Sequence, residues 1–210
     1  MNSRQPHPTA GADRSGLLLL RGGLSDVSAW VRRGIVPAAV VPMEGWTAVL
    51  PEERSFAEPP YTNGGLLLAG RHVPRKLGPG LGFWIVEGRA VITVQTRGRR
   101  GIRWVVWEPE RGVVTPPDLP VAGPVTLQRV AGAGRRNELV EILHEVYVQP
   151  DRLLAAVVAV LELPGAKLLV DASGVADLPG ATSVLPAPRE VGYFNDAVRD
   201  AVTLRQELEA

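Results

Sequence analysis

The chain has 210 residues, of which 45% are hydrophobic and 21% charged, with 23 Lys+Arg against 22 Asp+Glu and no cysteine. That composition provides for one or two packed domains and lies away from the low-hydropathy, high-charge range of disordered chains. The missing thiol excludes disulfide frameworks, thiolate zinc sites, iron–sulfur ligation and cysteine nucleophiles.

Residues 1–15, with Pro6, Pro8 and Gly11 and no apolar period, read as a disordered leader or expression remnant and are set apart from the fold. Arg4 and Arg14 precede an apolar stretch at 17–20, shorter than the roughly 7 to 15 residues of a signal peptide's core. The longest apolar run, 153–161, is about half of the roughly 20 residues a spanning helix needs. The expectation is a cytoplasmic protein with no membrane segment and no cofactor. Two of the cations are lysines, a bias of GC-rich bacterial coding sequence.

Residues 17–21 form an apolar run closed by Gly22 and Gly23, which predicts a buried strand. A helix follows, with Ser25 as its N-cap, Asp26 at the positive end, and Leu24, Val27, Trp30 and Val31 on one face; Gly34 ends it. Strands at 36–41 and 46–50 complete a β-α-β-β opening, half of a ferredoxin-like unit. Residues 51–65, rich in Pro and Gly, are a long loop, either a lid or disordered.

Residues 82–86 and 90–96 alternate as a hairpin about Glu87, Gly88 and Arg89, and 102–107 extend the sheet. Short strands are predicted at 113–115 and 125–130, separated by a Pro-rich segment. After Gly134 the period lengthens. Leu139, Ile142, Leu143 and Val146 form one stripe and Glu138, Glu141 and Glu145 another, an amphipathic helix.

A second helix runs from Pro150 to Leu163, and its apolar middle belongs in the core or against a partner. Two pentads, from Glu162 and from Asp177, share Leu-Pro-Gly-Ala, but one echo makes no repeat architecture. Asn195 is the expected cap of a final helix whose Ala197, Ala201, Leu204 and Leu208 form a stripe that docks or projects. The fold class is therefore α+β. A mainly antiparallel sheet domain spans 16–130, and a helical region over 131–210 shares its core or stands apart. Divided after Arg136, the first part carries 18 Lys+Arg against 10 Asp+Glu and the second 5 against 12. Opposed charges of this kind attract each other or select partners.

No complete catalytic or metal-binding constellation can be read. Gly132, Gly134, Arg135 and Arg136 lie between a predicted strand and a predicted helix, where backbone N–H groups and cations bind phosphate. Asn137 stands where a dinucleotide fingerprint wants a third small residue, and the P-loop's Gly-Lys-Ser/Thr is missing; a solvated interdomain hinge is the plainer explanation. The cluster Gly78, Gly80 and Gly82 precedes a strand, and Pro79 removes a donor, so it reads as entry to the hairpin.

Arg97, Arg99, Arg100 and Arg103 beside Trp104 and Trp107 suit a nucleic acid, the cations meeting phosphates and the rings stacking on bases. Alternation turns Arg103 and Trp104 to opposite faces, however, which favours tryptophans in a core. Glu141 and His144 have the Glu-x-x-His spacing of a di-iron bundle, but in one copy instead of two. No serine lies in Gly-x-Ser-x-Gly, and Asp171 with Ser173 reads as a side-chain turn.

Three functional readings follow. The first is a non-enzymatic interaction or adaptor module whose partner is another protein or a second copy. The second is a binder of phosphorylated small molecules, or an enzyme on them, at 132–136. The third is a nucleic-acid accessory protein using 97–103.

Overall fold

A computed structural model describes residues 16–52, 54–97 and 101–209. The expected leader, Arg99 and Arg100 lie outside the described residues. The central strand β1 (Gly16–Leu20) is flanked by β3 (Trp46–Pro51) and β4 (Gly80–Val86), with Leu18 opposite Val49 on one side and Gly82 on the other. With β2 (Ala38–Met43), β5 (Arg89–Gln95), β6 (Arg103–Glu108), β7 (Gly112–Val114) and β8 (Thr182–Val184), they make an eight-stranded sheet ordered β7-β6-β5-β4-β1-β3-β2-β8. Every neighbouring pair is antiparallel. The fold is α+β.

Strand alternation sends successive leucines of β1 to opposite faces, and both faces are covered. Leu18 and Leu20 meet Val27, Trp30 and Val31 of α1 (Leu24–Arg32) and Leu68 and Ala69 of α2 (Gly64–Ala69). Leu17 and Leu19 share the other core with Leu127 of α3 (Pro124–Ala131), Leu139 and Leu143 of α4 (Arg136–His144), Leu154 and Val158 of α5 (Pro150–Val160) and Leu169 of α6 (Ala166–Val170). These four leucines are at most 2% exposed, each contributing roughly 1.5–3 kcal/mol by burial. Side chains from both halves of the sequence thus meet in one core.

The hairpin β4–β5 forms about Glu87 (φ 50) and Gly88 (φ 74), the left-handed pair a two-residue turn needs. The strand expected at 125–130 is instead the helix α3. Pro124 lacks the N–H that a first turn leaves unpaired, and Gly132 (φ 84) donates to the Gln128 carbonyl at 2.9 Å to close the far end. Leu127, Val130 and Ala131 bury one stripe, which outweighs the weak strand preference of Val125 and Thr126.

Two caps also differ from expectation. Helix α1 begins at Leu24 with Gly23 in the cap position, so Ser25 is its second residue. Asn195 sits inside a helix that begins at Pro188. The stretch 131–210, read as helical, also contains β8, which pairs with β2 at the sheet's rim. Helix α5 ends at Val160, three residues short of the expected Leu163: Leu163 donates to Val158 and Glu162 to Ala159, each at 3.0 Å, with Glu162 left-handed at φ 54. Among the described residues no helix is long and apolar enough to cross a membrane.

Candidate interaction surface

Helix α7 (Pro188–Glu209) is the longest described element, at 22 residues, and it has no buried residue. Its first half is docked. Ala187 donates to the Arg32 carbonyl at 2.8 Å, bringing the helix to the end of α1. The Asn195 amide oxygen accepts from the Glu58 N–H at 3.1 Å, Phe194 meets Tyr61 edge-to-face at 5.4 Å, and Arg199 lies 3.8 Å from the Glu58 carboxylate.

The receiving loop, residues 54–63, is itself held, as is Glu52 before it. Phe56 donates to Ile35 at 2.8 Å, Glu52 donates to Pro37 at 2.9 Å, and the Ser55 hydroxyl donates to the Tyr61 carbonyl while accepting from Ala57 at 3.1 Å. Its far end is fixed by Asn63, whose side chain caps α2 by accepting from Leu66 at 2.9 Å. Residues 54–63 of the segment expected to be either a lid or disordered receive α7 at Glu58 and Tyr61.

Beyond Arg199 every described residue of the helix is exposed. The predicted stripe of Ala197, Ala201, Leu204 and Leu208 projects and does not dock: Leu204 is 58% exposed and Leu208 80%, with Tyr193 nearby at 71%. Residues 200–209 extend roughly 15 Å past the last contact with the socket. An isolated helix that short is marginal in water, and Glu207 and Glu209 in its last turn, with no base there, oppose the negative end of the helix dipole.

The other sequence candidates are placed as follows. Gly132 lies at the C-terminal end of α3, so the segment 132–136 joins two helices and the dipole facing Gly132 is negative. Gly134 (φ 109) is accounted for by packing, since a Cβ there would lie 2.8 Å from the Val160 carbonyl oxygen. Arg135 pairs with Glu138 at 2.7 Å and Arg136 is the exposed first residue of α4. The cation nearest Gly132 is Arg21, already engaged: it donates to the Ala131 and Gly45 carbonyls at 3.0 and 3.1 Å and stacks 4.0 Å from the Trp46 ring.

Arg97 and Arg103 are exposed at the two ends of the β5–β6 connection. Trp107 is 1% exposed and donates to the Glu145 carbonyl at 2.9 Å, so its ring fills the core; Trp104 is half-buried on the opposite face. His144 turns back on its own helix, 2.7 Å from the Val140 carbonyl, and among the described residues no group of three or more metal-ligating side chains converges. The Ser173 N–H donates to Asp171 at 2.9 Å, the side-chain turn expected there; hydrogen bonds from the Ser173 hydroxyl and N–H hold this carboxyl below its ordinary range.

Clefts of about 250 Å³ beside Ala39, Glu52 and Thr182, and about 500 Å³ beside Arg89, Glu108 and Arg111, do not gather Arg135 or Arg136. In the larger, both arginines pair with Glu108, at 3.0 and 3.3 Å. Beyond the local Arg135–Glu138 pair, the ion pair that crosses the charge division among the described residues joins Arg199 to Glu58. It takes its cation from the acidic half, so among the described residues apolar packing and hydrogen bonds join the opposed halves, and attraction between their net charges does not.

The chain matches no protein-family model, no curated protein and no solved structure.

Proposed function

We propose that this protein is a non-enzymatic interaction module of the cytoplasm, whose two-faced sheet serves as a rigid platform presenting helix α7 to a protein partner. The observation that carries this reading is a 22-residue helix with no buried residue, socketed along its first half and bare along its second. Leucines at 58% and 80% exposure on a surplus of helix are an uncompensated apolar surface unless something covers them. The socket makes the surface useful. Asn195, Phe194 and Arg199 fix the direction in which the helix leaves the body, so an incoming partner meets it at a set position.

The test uses the full chain as bait beside its Leu204→Asp/Leu208→Asp variant, with retained proteins identified and further copies of the chain counted among them. The wild type is expected to hold a defined partner that the variant releases, the two baits melting at the same temperature. Identical captures by both would overturn the reading.

A further inference from the structure

The stripe on α7 has the spacing of a coiled-coil seam. From Ala197 to Ala201 is four positions, from Ala201 to Leu204 three, and from Leu204 to Leu208 four, which is the d-a-d-a alternation of a heptad. In that register Asp200 and Glu207 occupy g positions, and Val198 and Arg205 occupy e.

The charges then choose the orientation. Two such helices in parallel set g of one heptad against e of the next on the other strand, so Asp200 faces Arg205 on both sides of the seam. Antiparallel pairing sets g against g, bringing Asp200 and Glu207 of the two strands together, and like charges so placed repel. Resting on the reading of α7 as the docking element, we propose that the partner is a second copy of this chain, the two α7 helices forming a short parallel coiled coil closed by two Asp200–Arg205 pairs.

The body leaves room for this. The socketed face of α7 is marked by Val191, Phe194, Asn195 and Val198, all half-buried, whereas the seam centres on Ala201 and Leu204. At about 100° per residue the seam lies roughly 100° around the helix from the socketed face. Two bodies held on the socketed faces therefore point away from each other across a parallel two-fold axis. The pairing also supplies what the overhang lacks: Leu204 and Leu208 leave water, and a stretch too short to be helical alone gains a partner to be helical against.

The absence of cysteine makes the test direct. Sedimentation of the full chain should show the mass rising from 22.5 kDa toward twice that with concentration. Leu204→Asp should abolish the rise, Asp200→Arg should weaken association by about tenfold, and Asp200→Arg/Arg205→Asp should restore it. Oxidation of Ala197→Cys alone should yield disulfide dimers, because the seam places each Ala197 opposite its equivalent.

A chain monomeric at every concentration overturns the self-pairing; if the bait in the preceding test still retains a different protein that the aspartate variant releases, the interaction reading survives. A dimer indifferent to Leu204→Asp overturns the seam. Disulfides that form only in a mixture of Ala197→Cys and Leu208→Cys chains overturn the parallel register.

Discussion

The guanidinium of Arg71 lies 4.0 Å from the ring centre of Trp30 and donates to the Trp30 carbonyl oxygen at 2.6 Å. One side chain thereby ties the segment after α2 to the last turn of α1. Burial, aided by the charge of Arg33 and opposed by the carboxylate of Glu190, pulls the guanidinium down to about 10, so it stays charged at neutral pH. Its Nη1 is buried with no hydrogen-bond partner among the described residues. Gly34 makes the space, for a Cβ there would lie 2.2 Å from that nitrogen.

Arg71→Ala is expected to cost about 1–3 kcal/mol through the lost stack and charged hydrogen bond. Gly34→Ala should cost about 1 kcal/mol in the wild type by displacing the guanidinium, and within about 0.5 kcal/mol of nothing once Arg71 is alanine. Urea unfolding of the four proteins measures the coupling. Additive costs would show that Gly34 is not making room for Arg71.

Gly82 plays a similar part inside the sheet. Trp84 is fully buried, and its indole N–H donates to the Thr93 hydroxyl at 2.9 Å directly over the Gly82 position. A Cβ at Gly82 would lie 2.3 Å from that hydroxyl and 2.4 Å from the indole nitrogen. Gly82→Ala should cost about 3 kcal/mol, overpacking and a broken buried hydrogen bond together. Thr93→Val, which removes only the acceptor, should cost about 1–3 kcal/mol. Denaturant midpoints compare the two, and a neutral Gly82→Ala would refute the close approach.

Glu162 closes α5 in the left-handed region, at φ 54, and its side chain is exposed. Glycine adopts that conformation without a Cβ penalty. Glu162→Gly should therefore stabilise the protein by about 1 kcal/mol and raise the melting temperature by about 2–4 °C. A fall in melting temperature would mean that the glutamate side chain contributes more than its backbone strain removes.

The hydrogen bonds from Ser173 hold the folded Asp171 carboxyl below its unfolded value, which fixes the sign of its pH effect. The stabilisation is complete above the unfolded value of about 3.9 and disappears as pH falls through the lower folded one. Carbon-detected NMR titration should place the Asp171 midpoint below about 3.9. Ser173→Ala should raise it part of the way, since the backbone N–H remains. The stability difference between the two proteins should vanish in strong acid and be constant at neutral pH.

Much of this fold was legible because its signals are local. The β4–β5 hairpin has alternating residues about Glu87-Gly88, and α4 repeats leucines at helical spacing. Where the sequence misled, a distant contact decides. Residues of β8 are a strand because they pair with β2, at Ala38 and Val184, far along the chain. Helix α2 contains two glycines and three leucines with no polar face, and it is helical because Asn63 caps it and Leu68 and Ala69 pack against the sheet. Helix α3 was misread for its β-branched residues although Pro124 and Gly132 marked both ends.

The α7 stripe was visible in the same way, as a period. Its bareness was not, because that depends on where the socket stops. The bond from Glu58 to Asn195 spans 137 positions, and the contact of Tyr61 with Phe194 is equally remote. Asn195 was taken for a cap because its residue type favours one; here the same amide oxygen holds a loop.

Both outermost strands of the sheet, β7 and β8, are three residues long, and β8 is mostly exposed. Rims this short give a foreign segment few ladder bonds to copy, so strand-by-strand growth into filaments has nowhere to start. In the proposed pairing, assembly falls to the protruding helix, and a two-fold contact there saturates after a single event. Raising the concentration should accordingly yield discrete particles of fixed size without turbidity.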